Sequence, residues 1–356
     1  MRRLRFLSIC LLLLVVASLL GYLYLDREMG ALHTPTSSMP FEIPPGLGAR
    51  EILRLLHDRG AIGNENLAMA YLLISGQRKD LKAGEYLFDR PVTTHEVVET
   101  LVKGSVYLHK FTVPEGLTLP KVALQWEQQG FGDASSFVEA AKDSLDLLKE
   151  FEGDQPASAS LEGYLFPETY FFPIRTKPRQ ALEAMVGRFR SVLAQLSSKA
   201  PAESWPLNIH DTVILASLVE AEAAVDDERP LIASVFLNRL KLRMLMQCDP
   251  TVIYALEMEN RYQGQLTRAD LKFDSPYNTY RYAGLPPGPI SNPGKRSLEA
   301  AIRPAVGSDL YFVRTTEGRH TFSENLSNHN KAVTAYRAQK APKAPTSSKK
   351  VPKARR

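Results

Sequence analysis

The sequence predicts an α+β protein with a single N-terminal transmembrane helix, a small α+β module and then a larger mixed α/β domain. Three observations support this prediction: an uncharged apolar run near the N-terminus, short alternating strand and helix patterns up to about residue 110, and longer helices, loops and a hairpin after it. The chain has 356 residues, of which 44% are hydrophobic and 23% are charged. A chain of this kind is long enough to form two or more hydrophobic cores.

The N-terminus predicts an uncleaved membrane anchor. Arg2, Arg3 and Arg5 precede an uncharged run over residues 6–25, and about 20 apolar residues cross a bilayer as a helix. A cleaved signal peptide is the alternative, but it ends its apolar region at a small-x-small site, whereas Ala17-Ser18-Leu19 is followed by more apolar residues. Because arginines mark the cytoplasmic flank, we predict a single-pass inner-membrane protein with a cytoplasmic N-terminus and a periplasmic body.

The net charge of +5 comes from the C-terminal end of the chain. Residues 337–356 hold eight Lys and Arg and no acidic residue, so the rest of the chain is net acidic. The overall charge therefore gives no reason to expect nucleic-acid binding. The tail is rich in Pro, Ala, Ser and Lys, which predicts disorder. A solvating role and contact with anionic lipid or wall polymer both stay open for it.

The segment after the anchor has the pattern of a small α+β module. Strands are predicted over residues 41–43 and 85–88, and helices over 49–59, 65–74 and 94–102. One strand, turn and helix then recur: IPPGLGAREILRLLHDRG from Ile43 aligns with VPEGLTLPKVALQWEQQG from Val113. We interpret this repeat as mainly architectural, because a hydrophobic stripe that ends in a glycine is typical of packing.

Glu220 is the strongest candidate for a catalytic acid. The chain from Asp211, a suitable N-cap, predicts a helix to about Val225 with its core face on a stripe that does not include Glu220. The residues one helical turn from Glu220 are all small: Ala216, Ser217, Ala223 and Ala224. Small neighbours leave space for a substrate around a carboxylate held on a rigid helix. A solvated helix glutamate is the alternative interpretation.

No partner carboxylate for Glu220 is evident in the sequence. Glu222 lies roughly 200° further around the helix and points away from Glu220. Asp249 precedes Pro250, which favours a helix cap at Asp249 over a catalytic role. The facing carboxylate pair of an ordinary glycosidase is therefore not predicted.

Several polar and aromatic residues are candidates for substrate binding. Gln247 lies just ahead of a predicted helix, and a long loop dense in glycine and proline follows it. A self-satisfied Ω-loop is the alternative for that loop. The candidate residues carry the hydroxyls, amides and rings that recognise sugars: Asn238, Gln247, Tyr277, Asn278, Thr279 and Tyr280.

The rest of the domain gives no signal for a metal or a cofactor. The stretch DLYFVRTTEGRHTF from Asp309 predicts a β-hairpin that turns near Glu317-Gly318, and a helix begins near Ser327. His320 and His329 lack a partner at metal-ligand spacing. No phosphate-binding glycine loop, GxSxG elbow or HExxH motif occurs. We therefore predict that the protein needs neither a metal nor a cofactor.

Six motifs along the chain carry a resemblance to a known family. They are EGYLFPETY from Glu162, LASLVEAEA from Leu215, ERPLIASVFLNRL from Glu228, QCDPTVIYAL from Gln247, YNTYRYAGLPPGPISNPG from Tyr277 and HTFSENLSNHN from His320. In this order and spacing they resemble the endolytic murein transglycosylase family, also called YceG-like. The resemblance extends from the anchor to the end of the predicted large domain.

The resemblance implies a lytic transglycosylase, a lyase that acts on peptidoglycan, with Glu220 as its acid and base. Glu220 would protonate the glycosidic oxygen between MurNAc and GlcNAc, and its carboxylate would then take the proton of the MurNAc C6 hydroxyl. That hydroxyl attacks C1 and closes a 1,6-anhydro ring, so neither water nor a second carboxylate is required. The family often has Lys-Glu-Thr after this glutamate, whereas Ala221-Glu222-Ala223 follows here, which puts a substrate contact at Ala223 in doubt.

The resemblance also implies a domain plan, partners and a role in the cell wall. The expected segments are a cytoplasmic start (1–5), the anchor (6–25), a linker (26–39), a LysM-like membrane-proximal module (40–110), a YceG-like catalytic domain (111–336) and the basic tail (337–356). Expected partners are peptidoglycan strands, the inner membrane and penicillin-binding proteins or elongation machinery, with no nucleic acid. Cleavage within nascent strands would end their elongation. The alternatives are an inactive glycan-binding scaffold and a muramidase that adds water.

Overall fold

A computed structural model describes residues 2–152 and 159–340 of the chain. These residues form two compact units. The first contains the chain up to Lys110 together with Phe171–Thr176, and the second contains Phe111–Tyr170 and the chain from Lys177 onward. Residues 341–356, most of the predicted disordered tail, lie outside the described residues.

The chain begins with one long helix, α1, Arg2–Met29. By length and composition, the stretch Arg5–Met29 is able to cross a membrane. Side chains over residues 5–24 are exposed, but Leu25 and Met29 are only 8% and 3% exposed and belong to the core of the first unit. The predicted start of the linker at residue 26 is therefore wrong. Leu25 and Met29 are four residues apart on one face of α1, so this end of the helix packs in that core.

The remaining elements of the first unit are short. In chain order they are β1 (Leu32–His33), β2 (Phe41–Ile43), α2 (Ala49–Asp58), α3 (Glu65–Ile74), β3 (Gly84–Tyr86), β4 (Val92–Thr93) and α4 (Thr94–Lys103). Strand β2 pairs antiparallel with β3, and β1 pairs antiparallel with β4. The predicted helices and the first strand are confirmed within a residue, whereas the strand predicted over 85–88 begins and ends earlier.

The second unit is mostly helical. Its elements are β5 (His109–Thr112, which begins at the end of the first unit), α5 (Leu119–Gln128), α6 (Ala134–Lys142), α7 (Lys149–Glu152), β6 (Thr169–Phe172), α8 (Pro178–Ser197), α9 (Ile209–Glu222), α10 (Arg229–Lys241), α11 (Asp249–Met258), α12 (Lys295–Ile302), β7 (Tyr311–Arg314), β8 (His320–Ser323) and α13 (Leu326–Lys340). Strand β5 pairs with β6. Strands β7 and β8 form the predicted hairpin, with Arg314 opposite His320. Helix α13 continues four residues past the predicted end of the domain at residue 336.

Helix α9 lies at the centre of this unit and contacts α10, α11 and α12. Every residue from Thr212 to Val219 is buried, as expected for a helix that is apolar all round. Its N-cap is Asn208, whose side chain accepts from the Asp211 N–H, so the predicted cap at Asp211 is wrong. The helix ends at Glu222, three residues earlier than predicted, and Ala221 is exposed although the sequence placed it in the core stripe.

The sequence repeat is also a structural repeat. Helices α2 and α5 occupy equivalent positions of the two copies and have the same length of 10 residues. The equivalent Gly46 and Gly116 both adopt positive φ, at 91° and 77°, in the turn before the helix. Apolar positions are buried in both copies, for example Leu56 and its equivalent Trp126. The turn in each copy therefore requires a residue with positive φ, a conformation that glycine adopts readily.

Substitution of Leu25 tests whether α1 is part of the first core. We expect Leu25→Ala to lower the free energy of unfolding of the full-length protein in detergent by about 2 kcal/mol, because it leaves a cavity. Leu23→Ala is the matched control, since Leu23 is exposed on the same helix. Urea unfolding measures both. Equal effects of the two substitutions would contradict the packing, and a soluble form of the protein should accordingly retain Leu25 and Met29.

Candidate active site

Glu220 lies near the C-terminal end of α9, in a niche formed by other parts of the second unit. Its side chain is 6% exposed. Its Oε1 lies 3.1 Å from Arg229 Nη1, and its Oε2 accepts a hydrogen bond of 2.9 Å from the Gly294 N–H. Both carboxylate oxygens thus face a donor, which is the arrangement of a proton acceptor.

Arg229 is fixed in place by further contacts. It is the first residue of α10, and its side chain is 10% exposed. Its Nε lies 3.1 Å from Asp226 Oδ1, and its Nη1 also donates to the Ser297 hydroxyl. A guanidinium held by three partners gives the Glu220 carboxylate a fixed counter-charge.

A second carboxyl, that of Glu115, lies beside Glu220. Gly294, which donates to Glu220, is also packed against Glu115, and a Cβ on Gly294 would collide with the Glu115 carboxyl. Partial burial raises the pKa of Glu115, and the negative charge of Glu220 raises it further. Glu115 as a residue is exposed to solvent. The expectation of a single carboxylate at this position is therefore wrong.

Backbone hydrogen bonds hold the turn that contains Glu115 against the segment before α12. The Gly116 N–H donates to the Asn292 carbonyl, and the Asn292 N–H donates to the Leu117 carbonyl, each at 2.9 Å. The Gly116 backbone also faces Glu220, since a Cβ there would lie 3.6 Å from Glu220 Cγ. Gly116 and Gly294 are thus small residues beside Glu220, and the helix ends before Ala223 and Ala224, two of the four small neighbours that the sequence suggested.

The side chain of Asn292 ties this segment to two others. Its Oδ1 accepts from the N–H groups of Gly163 and Leu165, and its Nδ2 donates to the Leu117 carbonyl, all at 2.9 Å. Its Nδ2 also lies 3.1 Å from Glu162 Oε1. Every hydrogen-bonding group of this buried amide therefore has a partner.

Glu162 is the other buried acid of this network. Both of its carboxyl oxygens lie within hydrogen-bonding distance of the Leu119 N–H at the start of α5, at 3.0 and 2.9 Å. Tyr254 donates to Oε2 over 3.4 Å. Burial raises the pKa of Glu162 to about 8, against the effect of these donors. Glu162 therefore holds the turn and helix behind Glu115, and within the described ranges it forms no hydrogen bond or ion pair with Glu220.

A separate polar cavity of about 360 Å³ begins one residue beyond Glu220, at Ala221. Its volume is in the range of small-molecule sites. The residues around it that carry polar or charged groups are Glu222, Arg239, Gln247, Asp249, Tyr280, Arg314 and His320. Burial raises the pKa of Glu222 to about 7, and the nearby charge of Asp249 also raises it, whereas a hydrogen bond with Cys248 lowers it.

Two of the six predicted binding residues, Gln247 and Tyr280, line this cavity. Gln247 adopts a φ of +50°, which is rare for a residue other than glycine, and its N–H donates to the Thr279 carbonyl over 3.1 Å. No hydrogen bond to its side-chain amide is found within the described ranges. Tyr280 donates to Asp249, which lies at the first position of α11 beyond the N-cap Cys248, so the predicted cap role of Asp249 is wrong.

The other four predicted binding residues are bonded within the protein. Asn238 donates to the carbonyls of Gly307 and Asp309, at 2.9 and 3.1 Å. Asn278 is fully buried and donates to two carbonyls of its own loop. Thr279 is buried against Thr251 and Cys248, and the Tyr277 ring packs on Tyr254. These contacts give the four residues a structural role, and their role in binding stays a prediction.

His320 has a partner in the same region. Its Nδ1 lies 2.8 Å from Glu228 Oε2, and its backbone N–H donates to Glu228 Oε1 over 2.9 Å. This buried pair joins the hairpin to the residue before Arg229. Within residues 2–152 and 159–340, no group of three His, Cys, Asp or Glu side chains is arranged to hold a metal ion.

Comparison with known proteins identifies the family. The sequence profile described as the YceG-like family matches residues 41–335. The chain belongs to this family. A relative from Bacillus subtilis named endolytic murein transglycosylase is 32% identical over 316 residues, which are 85% of this chain and 86% of that protein. A relative of the same name from Streptococcus pneumoniae strain D39 is 30% identical over 91% of this chain but only 63% of its own length.

A solved structure of this family is also similar. A crystal structure of a YceG-like protein from Listeria monocytogenes, at 32% sequence identity, aligns with 83% of this chain and with all of its own chain, and the TM-score is 0.56. Both carboxyls of the niche, Glu115 and Glu220, lie inside the range that the family profile matches. The family resemblance deduced from the six sequence motifs is thus confirmed.

The sequence repeat distinguishes Glu115, which the sequence motifs did not indicate. The two copies align Pro45 of the first with Glu115 of the second, between a shared proline and a shared glycine. A strand, turn and helix of this shape therefore forms with proline at that position. A charged residue in only one copy of a structural repeat points to a use beyond folding.

Glu162→Gln tests the buried acid that supports the niche. Glu162 has a folded pKa of about 8 and an ordinary value of 4.5, so the folded protein keeps a proton that the unfolded chain loses as pH rises. The contribution of the protonated Glu162 carboxyl to the free energy of unfolding is fully present below pH 4.5 and is lost as pH rises through about 8. We expect the stability of the wild type relative to the neutral glutamine variant to fall by up to about 1.4 kcal/mol per pH unit in this interval.

Urea unfolding at a series of pH values between about 5 and 9 measures this difference. Glu127→Gln, at an exposed glutamate of α5, is the matched control and should show no such trend. A difference between wild type and Glu162→Gln that stays constant over this range would show that Glu162 is ionised in the folded protein.

Proposed function

We propose that this protein is a membrane-anchored lytic transglycosylase that cuts the β-1,4 bond between MurNAc and GlcNAc within peptidoglycan strands and leaves 1,6-anhydroMurNAc ends. The observation that carries the proposal is the Glu220 carboxyl, which is held by Arg229 and by the Gly294 N–H near the end of a helix that is buried from Thr212 to Val219. The names of the relatives from Bacillus subtilis and Streptococcus pneumoniae support murein as the substrate.

The proposed reaction needs one group that first gives and then takes a proton. Glu220 in its protonated form gives its proton to the glycosidic oxygen as the C1–O bond of MurNAc breaks. The Glu220 carboxylate then takes the proton of the MurNAc C6 hydroxyl while the oxygen of that hydroxyl bonds to C1. The proton count of the enzyme is unchanged at the end, and no water enters the product.

The surroundings of Glu220 suit the second of these steps. Arg229 and the Gly294 N–H stabilise the carboxylate that accepts the C6 proton. They also hold its two oxygens in fixed positions, which preserves the geometry that proton transfer requires. The first step, in which Glu220 must carry a proton, is the more demanding one in this environment.

The cavity that begins at Ala221 suits a sugar ring of the strand. Gln247 offers an amide that is hydrogen-bonded to no other part of the described chain, and Tyr280 offers a ring and a hydroxyl. A residue other than glycine with positive φ is strained, and such strain is concentrated at functional sites. We therefore assign Gln247 and Tyr280 to glycan binding.

The apolar helix at the N-terminus suits an enzyme that acts near the membrane. We infer that α1 spans the inner membrane with the arginines in the cytoplasm and the body in the periplasm. An enzyme tethered in this way reaches strands close to their site of synthesis, so cleavage would end the elongation of nascent strands. Penicillin-binding proteins of the elongation machinery are the corresponding partners, and the module over residues 40–110 would be LysM-like.

The products of cleavage test this function directly. Full-length protein in detergent, incubated with purified glycan strands and analysed by mass spectrometry, should release fragments with anhydro ends. We expect Glu220→Gln to lower the rate at least about a thousandfold, because the acid and base are lost together. Reducing ends would instead indicate a muramidase, which adds water. A correctly folded wild type that cleaves nothing would indicate a scaffold.

Gln247→Gly separates binding from folding. Glycine accepts the positive φ of this position, so we expect stability to be equal or higher by about 1 kcal/mol, while KM for glycan strands rises about tenfold. Asn260→Gly is the matched control, because Asn260 has a φ of +55° and is exposed beyond α11. The control should gain stability without a change in KM. An equal change in KM for both variants would remove Gln247 from the binding site.

A further inference from the structure

We propose that Glu115 and Glu220 hold one proton between them, so that Glu115 is the positioning residue that keeps Glu220 able to act as an acid. The inference rests on the proposed function, because it explains how that function is possible beside Arg229. An ion pair with an arginine favours the ionised form of a carboxyl, whereas the first step of the reaction needs the protonated form. A neighbouring carboxyl supplies the opposing effect.

Contact with the same residue, Gly294, brings the two carboxyls together. The Gly294 N–H bonds to Glu220, and its Cα packs so closely on the Glu115 carboxyl that no side chain fits there. The preceding residues of this segment are bonded to the turn after Glu115 through Gly116 and Leu117. Two carboxyls held together in this way are unfavourable when both are ionised, so one proton is retained by the pair.

The charged groups around the pair do not neutralise it. Arg229 divides its charge between Glu220 and Asp226, and Arg296 forms an ion pair with Asp226. The guanidinium groups of Arg229 and Arg296 lower the pKa of Glu115 by less than partial burial and the charge of Glu220 raise it. Because Glu220 already accepts a hydrogen bond from the Gly294 N–H and forms an ion pair with Arg229, the shared proton resides on Glu115 at rest, in agreement with the raised pKa of Glu115.

The two carboxyls differ in access to solvent, which gives each a part in the proton transfer. Glu220 is nearly covered, whereas Glu115 is exposed. When the proton moves from Glu115 to Glu220, the negative charge left on Glu115 disfavours loss of that proton from Glu220 to solvent. Glu220 then gives the proton to the leaving glycosidic oxygen and takes another proton from the C6 hydroxyl. The pair again holds one proton. No outside acid or base is consumed.

The sequence repeat gives an independent reason to assign this role to Glu115. The first copy has Pro45 at the equivalent position and forms the same strand, turn and helix. The glutamate is therefore not needed for the local fold. It is also the one charged residue in the turn PEGLT, so its position beside Glu220 has no competing explanation from the turn itself.

The test is the pH profile of kcat for anhydro-product formation by the full-length protein in detergent, with purified glycan strands as substrate. In Glu115→Gln we expect the alkaline limb of the profile to move about one pH unit lower, with an activity loss of about tenfold above the limb and little loss below it. Glu115→Asp retains the charge and should keep the wild-type limb. Glu127→Gln, an exposed glutamate on the following helix, should match the wild type.

Two results would overturn the inference: an unchanged limb in Glu115→Gln, or a uniform loss of activity at every pH, which indicates a structural role. If Glu115→Gln does not fold, 13C NMR of glutamate carboxyls in the wild type decides the question. The inference requires the titrations of the two carboxyls to be linked, each with an inflection at the midpoint of the other, and independent titrations would overturn it. A wild type without lyase activity would contradict the proposed function alone, because the NMR titration still tests the pair.

Discussion

The side-chain amide of Asn292 is the interaction on which the candidate site depends. It accepts from the Gly163 and Leu165 N–H groups and donates to Leu117 and Glu162, so that three distant stretches of the chain meet at one buried group. Two residues further on, Gly294 contacts both carboxyls of the niche. A buried amide that loses one partner leaves an unpaired polar group at a cost of about 1–3 kcal/mol. The network therefore fixes the turn of Glu115 relative to Glu220 within narrow limits.

Helix ends determine the electrostatics of the niche. Glu220 lies near the C-terminal end of α9, where the helix dipole disfavours a negative charge. It also lies at the start of another helix, since its hydrogen-bond donor Gly294 is the N-cap of α12, and it faces the guanidinium of Arg229. These two donors offset the unfavourable end of its own helix. The carboxyl is thus held between opposing electrostatic influences.

The family, most helices, the hairpin and Glu220 could be predicted from the sequence, because periodicity, caps and motifs are local. Glu115 could not be found in this way, since its partner Glu220 is 105 positions away and only the contact through Gly294 relates them. The end of α9 was placed too late because alanines favour helix, whereas the chain turns at Ala223. Asn278 and Thr279 carry polar groups of the kind that bind sugars. In the structure, Asn278 donates to a carbonyl of its own loop, and Thr279 accepts from the Cys248 N–H at the start of α11.

The position of the second carboxyl bears on the choice between a lyase and a hydrolase. Glycosidases that add water or form a covalent intermediate place two carboxyls on either side of the scissile bond, roughly 5 to 9.5 Å apart. Here both carboxyls contact one glycine, so we expect them to face the substrate from the same side. A pair so arranged is suited to sharing a proton and unsuited to activating a water on the opposite face. The second carboxyl thus supports an internal nucleophile, the C6 hydroxyl, and the presence of two acids is compatible with a lyase.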